Sequence, residues 1–558
     1  MGSVEIYFYR CPRGTGEHLT NSVTSVTDQF ITKEQYTGST GDGVYGHCGV
    51  PDRLDEHYSR TGVATWDKMH IAATQDTKMR NPKEEFNNKQ KKFNWLNEIT
   101  ITISKAMKYV NWGKEWDHFF EVCKTMICEG YETKYRSPKM FSETKFANWV
   151  VVLYKDFYTV YPALLRTLEE TKENLREGGE KEKEKAKNAD ELQGRILNLT
   201  FALSLSFLID IYNIYSQISK LLQIVNILPF ERFDKFEALL RTYVMMLDTV
   251  DHTKCSCFPC LSETFCLWPS YHTAIREVLS KGEFRKIPMG QLLPETTRTR
   301  EGRKQSAENM WLDTDKVISG TNKRALDVVD FLYNGLNDVV YSSEERNVIS
   351  HVRTLTDLKS VISKVAKFGA AQTSSLNWRR FLEAGKFFEP EFVCMYTADE
   401  LRYMFREFYR RLEEMSKTVD MTKISSLDIL GKFLSSNGQL SKDIEPVLGI
   451  IARAAVCTSV ESIVESWVSI VEHHSPPTRV LSQDRLEDEA MVSINGPELV
   501  HADPVIKEAL RTYWQGSKDK GNIGGHFIRR SKNIKSYGVS GAIDSIVKKP
   551  AKQAFMVV

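Results

Sequence analysis

The sequence predicts a mostly helical protein, with a mixed α/β segment over residues 1–146 leading into an all-helical stretch over 147–425. Three observations predict this. Val4 to Tyr9 alternates apolar and polar residues, the period of a strand. Thr37-Gly-Ser-Thr-Gly-Asp42-Gly-Val44 is punctuated by glycine, as a sharp turn beside a short strand requires. From Phe146 to Ser435 nearly every segment repeats its apolar residues at helical spacing, between polar breaks.

The elements follow in order. Thr15 to Phe30 reads as a helix, and Val63-Ala-Thr-Trp66-Asp67 leads into another near Met69. Helical spacing returns from Phe93 to Cys128, with Trp95, Ile99, Ile101, Ile103, Met107 and Val110 in its first part. The Lys/Glu run from Leu168 to Asp190 has almost no apolar residues and reads as a solvated loop or a helix extension. Leu293 to Lys304 is a second break, basic and turn-rich. Asp443 to His474 reads as two helices: Pro446 suits the first turn of one, and Thr458-Ser-Val-Glu461 is a capping box for the other. Residues 426–500 are thus expected to form C-terminal helices, and 501–558 a basic, partly disordered tail.

Composition narrows the class. The 558 residues carry 41% hydrophobic and 27% charged side chains, ordinary for a soluble globular chain. A net charge of +2 gives no global attraction to nucleic acid, so any such surface must be local. The longest apolar run, Phe201 to Tyr215, is interrupted by Asp210 and Asn213 and falls short of the roughly 18 residues of a membrane span. A buried helix is the reading, with no membrane partner. The N-terminal residues lack the basic start and apolar run of a secretory signal. The ten cysteines are therefore expected to be reduced thiols in the nucleus or cytoplasm of a protein that is not secreted.

Several residue groups carry candidate chemistry. Asp42 sits between two glycines, which leave its carboxylate accessible to a cation; a plain Asp-Gly turn has the same sequence. Asp67 and His70 share a helical face if the helix has begun there, and a helix start with a satisfied histidine looks alike. Glu465 lies four residues from Glu461, a mildly unfavourable spacing unless a metal or Arg479 lies nearby; a solvated helix face is the ordinary explanation. His252, Cys255, Cys257, Cys260, Cys266 and His272 are dense in metal-ligand types. Only Cys257 and Cys260 have the two-residue gap that structural zinc prefers, so a thiol-rich loop and a zinc site both remain open. Basic groups recur at Arg298, Arg300, Arg303 and Lys304, at Arg379-Arg380, and at Arg529-Arg530. They suit sequence-blind phosphate contact, or solvated helix faces and a disordered tail. No Walker loop, dinucleotide fingerprint or nucleophile elbow is present.

Taken in chain order, these pieces resemble the hAT superfamily of DNA transposases. Val4 to Tyr45 resembles the stretch that runs from a central strand, through a helix, to the second catalytic Asp, here Asp42. Asp67-Lys-Met-His70 falls where many members carry Cys-x-x-His, with the Cys replaced. Glu143-Thr-Lys145-Phe146-Ala-Asn148 resembles the Thr-Arg-Trp-Asn segment that opens the helical insertion, with Lys145 for Arg and Phe146 for a Trp thought to stack on an unpaired base. Glu445 to Leu481 resembles the C-terminal dimerisation segment, where Glu465 and Ser469 match and Ser466 and Val468 depart.

The resemblance implies an α/β ribonuclease H-like core interrupted by a large all-α insertion. It implies an Asp-Asp-Glu site, with Asp42 and Glu465 as catalytic residues and ligands of Mg²⁺ or Mn²⁺. The first Asp is expected on a strand before Val4, which makes the chain an N-terminally truncated remnant with impaired catalysis. Such a protein acts through homo-oligomerisation and possible DNA contact in the nucleus, with Lys145, Phe146, Arg298, Arg300, Arg303 and Lys304 as contacts. The alternatives are an active transposase in which Asp28 or Asp67 replaces the lost acid, and a helical interaction scaffold held by zinc.

Overall fold

Alternation gives way to helical spacing early in the chain, and the architecture follows that change. The computed structural model describes residues 15–29, 36, 38–41, 48–59, 63–66, 68–80, 90–110, 113–133, 147–224, 227–253, 266–289, 314–389, 395–418, 424–437 and 442–456. All lie within the compact unit Arg13–Ser462. They are mostly helical, with two short strand pairs.

The N-terminal part holds α1 (Gly16–Thr27), β1 (Gly38–Gly41), α2 (Val50–Tyr58) and β2 (Val63–Trp66). β1 and β2 are parallel, with Gly38 opposite Val63 and Gly41 opposite Trp66. Parallel neighbours need a crossover between them, and α2 lies on it. α2 begins after Gly49, whose φ of 68° is left-handed and suits glycine. Its buried face, Val50, Leu54 and Tyr58, joins Tyr36 in a small cluster with Leu19 and Cys48 against it.

The remaining helices are α3 (Lys68–Arg80), α4 (Asn94–Tyr109), α5 (Gly113–Cys128), α6 (Ala147–Leu175), α7 (Glu180–Ile196), α8 (Leu199–Leu222), α9 (Pro229–Thr249) and α10 (Pro269–Lys281). After a hairpin of β3 (Glu283–Phe284) and β4 (Ile287–Pro288) come α11 (Thr314–Val339), α12 (Ser343–Thr356), α13 (Leu358–Phe368), α14 (Ala370–Phe388), α15 (Ala398–Thr418), α16 (Ser426–Asn437) and α17 (Glu445–Val456). One continuous core runs through them from Ala72 to Ala454. α8 is its axis: α3, α6, α9, α10 and α11 all pack on it. By length and apolarity α8 passes as a membrane span, but 83% of its apolar window is buried in protein. Each fully buried Leu or Phe contributes roughly 1.5–3 kcal/mol relative to exposure, so α8 dominates the energetics of this body.

Helix starts follow their capping residues. Asn198 accepts from the Thr200 N–H at 2.8 Å to open α8. Ser342 and Glu345 form a reciprocal capping box for α12, and Thr397 and Glu400 do the same for α15. The Lys/Glu run resolves as helix: α6 extends to Leu175 and α7 resumes at Glu180, where the Gly179 N–H donates to Glu182. Pro446 lies in the first turn of α17 as expected. Val447, Leu448 and Ile451 are core residues there.

The β3–β4 hairpin departs from the all-helical expectation for 147–425. Its two-residue turn has φ of 51° at Arg285 and 64° at Lys286. Such turns normally take Asn-Gly, because both central residues need positive φ. Here contacts hold them instead: Arg285 stacks on Tyr158 at 4.5 Å, and Lys286 donates to the Gly130 carbonyl at 2.7 Å. Arg285 also donates to the Glu132 carbonyl, and both carbonyls follow the C-terminus of α5, the end that favours cations.

Candidate functional site

Strand register places the first candidate site. Gly41 and Trp66 are partners at the same end of the parallel pair, and the next residue in each chain segment is an acid, Asp42 and Asp67. Both acids lie outside the described residues, as do Glu465, Lys145, Phe146, Arg298, Arg300, Arg303 and Lys304. His70 is in α3, and its side chain lies outside them too. The strand expected at Val4–Tyr9 and the capping box at Thr458 are likewise outside.

Two described acids of this segment, Asp28 and Asp55, are engaged. Asp28, at the end of α1, receives His57 Nε2 at 2.9 and 3.0 Å and the Tyr58 hydroxyl at 3.1 Å. The hydrogen bond from His57 holds its carboxyl below the usual range. Tyr36 donates to Asp55 at 2.8 Å, and its ring stacks on Tyr58 with centroids 4.6 Å apart. Burial pushes both tyrosine hydroxyls up. This network ties α1 to α2. It leaves Asp28 a structural carboxylate, which weighs against its serving as a replacement metal ligand.

Lys68, directly after Asp67, opens α3 and is only 1% exposed. Its Nζ donates to Glu345, the acid of the α12 capping box, and lies 5.3 Å from the Tyr341 ring. The start of α3 is thus tied to the helical body by a buried ion pair, and further along α3 the Tyr212 hydroxyl donates to Asp76 and the Tyr215 hydroxyl to the Ala72 carbonyl. Burying a lysine is costly without such a partner, so this anchor is specific. Periodicity gave no hint of it, because the partners are far apart in sequence.

Asp210, an interruption of the apolar run, is 5% exposed and reaches the N-terminus of α10. Its oxygens accept from the Ser270 N–H at 3.1 Å and the Tyr271 N–H at 2.9 Å. Burial pushes its carboxyl up to about 7, against those backbone hydrogen bonds, which pull it down. The sequence showed only an acid interrupting an apolar run; its partners lie 60 and 61 residues further on and carry no local signal.

In the thiol-rich region, Cys266 Sγ and His272 Nδ1 are 3.5 Å apart. His272 is buried, and its Nε2 lies 3.1 Å from the Val250 carbonyl. Desolvation lowers its pKa, favouring the neutral ring. Cys255, Cys257 and Cys260 lie outside the described residues. Among the described residues no group of three His, Cys, Asp or Glu side chains is placed to hold a metal.

Of the basic pair on α14, Arg379 pairs with Glu383 at 3.0 Å, while the neighbouring Trp378 packs on Phe381 and Phe405. A cavity of about 540 Å³ between α3 and α11 is lined by Gln75, Phe93, Asp330, Asn334 and the ion pair Lys92–Asp327 at 2.6 Å.

No family model matches the chain, and neither a curated protein nor a solved structure matches it.

Proposed function

We propose that this is a transposase-derived protein of the hAT type, in which a ribonuclease H-like core is interrupted by a helical body. The observation that carries the reading is the parallel β1–α2–β2 unit. α1 precedes it, as the resemblance requires, and acids follow both strands at the same end. Ligands of open α/β sheets gather at the carboxyl ends of strands, which is where Asp42 and Asp67 begin. In this reading the helices within 147–425 are the insertion.

The protein's mode of action in this reading is homo-oligomerisation and DNA contact in the nucleus, with strand cleavage impaired. Motif departures support the impairment: no Cys at position 67, Lys145 for Arg, Phe146 for Trp, and Ser466 and Val468 for Arg and Phe. The reading assigns Mg²⁺ or Mn²⁺ to Asp42 and Glu465, but these two acids fall in different compact units, Asp42 in Arg13–Ser462 and Glu465 in the unit of Met1–Pro12 with Ile463–Val558, which counts against a shared metal site. The described carboxylates Asp28 and Asp55 are already hydrogen-bonded and do not complete the ligand set. Residues 457–500 are left to supply the oligomer contact, since the earlier apolar positions of α17 are spent in the core.

A strand-cleavage assay with Mg²⁺ or Mn²⁺ and transposon-end duplexes tests the chemistry, and sedimentation tests the oligomer. The expected result is a dimer that binds DNA with a steep salt dependence and does not cut it. Cleavage abolished by Asp42→Asn and by Glu465→Gln overturns the impaired reading in favour of an active transposase. A monomer without DNA affinity overturns both.

A further inference from the structure

We propose that the groove between α3 and α11 binds a linear aliphatic polyamine, held by Asp330, Asp338 and the Gln75 amide. The inference is independent of the proposed function. It begins with Gln75, which is 4% exposed and lines the groove. Its Nε2 is buried without a hydrogen-bond partner, and its Oε1 accepts no bond among the described residues. A buried amide left unpaired is costly, and such groups are few in native folds. The Oε1 lies against Gly335 of α11, where a Cβ would meet that oxygen at 3.0 Å. Glycine weakens a helix interior. Here it gives the amide head its seat on the wall of the groove.

Charge decides what the groove accepts. Asp327, Asp330, Asn334 and Asp338 recur at steps of three, four and four residues, so they share one face of α11. Lys92, on the turn before α4, neutralises Asp327 at 2.6 Å. Asp330 and Asp338 accept from neutral amides, those of Asn334 at 3.0 Å and Asn337 at 3.1 Å. No cation among the described residues pairs with either. The two free carboxylates are separated by roughly 12 Å of helix axis, with Gly335 and the Gln75 amide between them. That spacing is too wide for one metal ion, and no group of three ligand side chains among the described residues is placed to hold one. It suits a methylene chain with ammonium groups at both ends and one within. The end groups meet Asp330 and Asp338, the inner N–H donates to Gln75 Oε1, and the methylenes lie on Phe331 and Val339. Phe93 packs edge-on against Phe331, with centroids 5.2 Å apart, and backs that apolar wall. Lys92 repels a further cation at the Asp327 end, which limits the length of ligand accepted.

The test is calorimetric titration of the full-length chain with spermidine, with butylamine and Mg²⁺ as comparison cations. One saturable site per chain is expected, about tenfold tighter for spermidine than for butylamine at low salt and weakened by added salt, because both carboxylates are exposed. Asp330→Asn and Asp338→Asn each weaken binding several-fold. Gly335→Ala does so without changing charge, by displacing the amide. Asp315→Asn, an exposed acid in the first turn of the same helix, leaves binding unchanged. Amide exchange on the parent protein locates the site without any variant: spermidine slows exchange in α3 and over 327–339 of α11. No saturable binding, or equal affinity for Mg²⁺ and spermidine, overturns the site. Unchanged binding in the double variant Asp330→Asn/Asp338→Asn, or protection confined to other helices, overturns it as well.

Discussion

The helical body and the N-terminal β1–α2–β2 segment bury apolar surface on different scales. The body threads one core from Ala72 to Ala454, while the segment centres on Tyr36, Val50, Leu54 and Tyr58. Polar groups divide the same way. The body buries Asp210 against a helix start, whereas the segment keeps Asp28 and His57 half in water. The body is a scaffold, and the segment that carries the candidate acids is held on it through Lys68 and α3.

The largest effect expected is on the body. Leu208→Ala, at a fully buried position of α8, lowers global stability by about 4 kcal/mol, read from the denaturant midpoint. Leu54→Ala in the small cluster is expected to leave that midpoint nearly unchanged and to speed amide exchange in α1 and α2. Equal global effects would erase the distinction between the two regions.

The anchor comes next. Lys68→Ala leaves Glu345 facing a partly buried site without its cation and is expected to cost about 3 kcal/mol. Pairing Lys68→Met with Glu345→Gln recovers much of it. If the single change alters nothing, the segment is held by other contacts.

The third effect concerns Asp210. Asp210→Ala removes the acceptor for two backbone N–H groups and is expected to cost about 2 kcal/mol. Its folded pKa of about 7 lies above the ordinary carboxylate value, so the folded protein holds a proton that the unfolded chain has lost. Stability therefore falls as pH rises from about 4 through 7. Asp210→Asn should flatten that slope in urea titrations across this range, and an unaltered slope would assign it elsewhere.

The smallest effect is at Asp28. Its carboxyl is held below the usual range by His57, so its contribution is present above the unfolded value and lost as pH falls through the folded one. Both side chains are partly in water, so Asp28→Asn should produce only a slight loss near neutral pH that vanishes in high salt. A large, salt-independent loss would mean that the network carries more than an exposed pair can.

Much of the fold was legible. The apolar run became α8, Thr15–Phe30 became α1, and the glycine-punctuated stretch holds β1. Each reading rests on local periodicity or on residues with few backbone options. The Lys/Glu run is helical because those residues are good helix formers even without an apolar face. The hairpin escaped because Arg285 and Lys286 carry no turn signature, and their positive φ is held by distant groups. Of the candidate site, β1 and the start of α3 were legible. Lys68–Glu345 and the Asp210 cap were not, since each joins residues far apart in the chain.

By itself the sequence determined where helices begin, which faces are apolar, and that acids follow Gly41 and Trp66. Those properties depend on neighbours within a turn or two. Tertiary structure alone decided that Asp210 caps α10, that Lys68 is buried, and that Cys266 meets His272. Each pairs polar groups whose burial is tolerable only when the partner arrives, and only the folded chain brings the partners together.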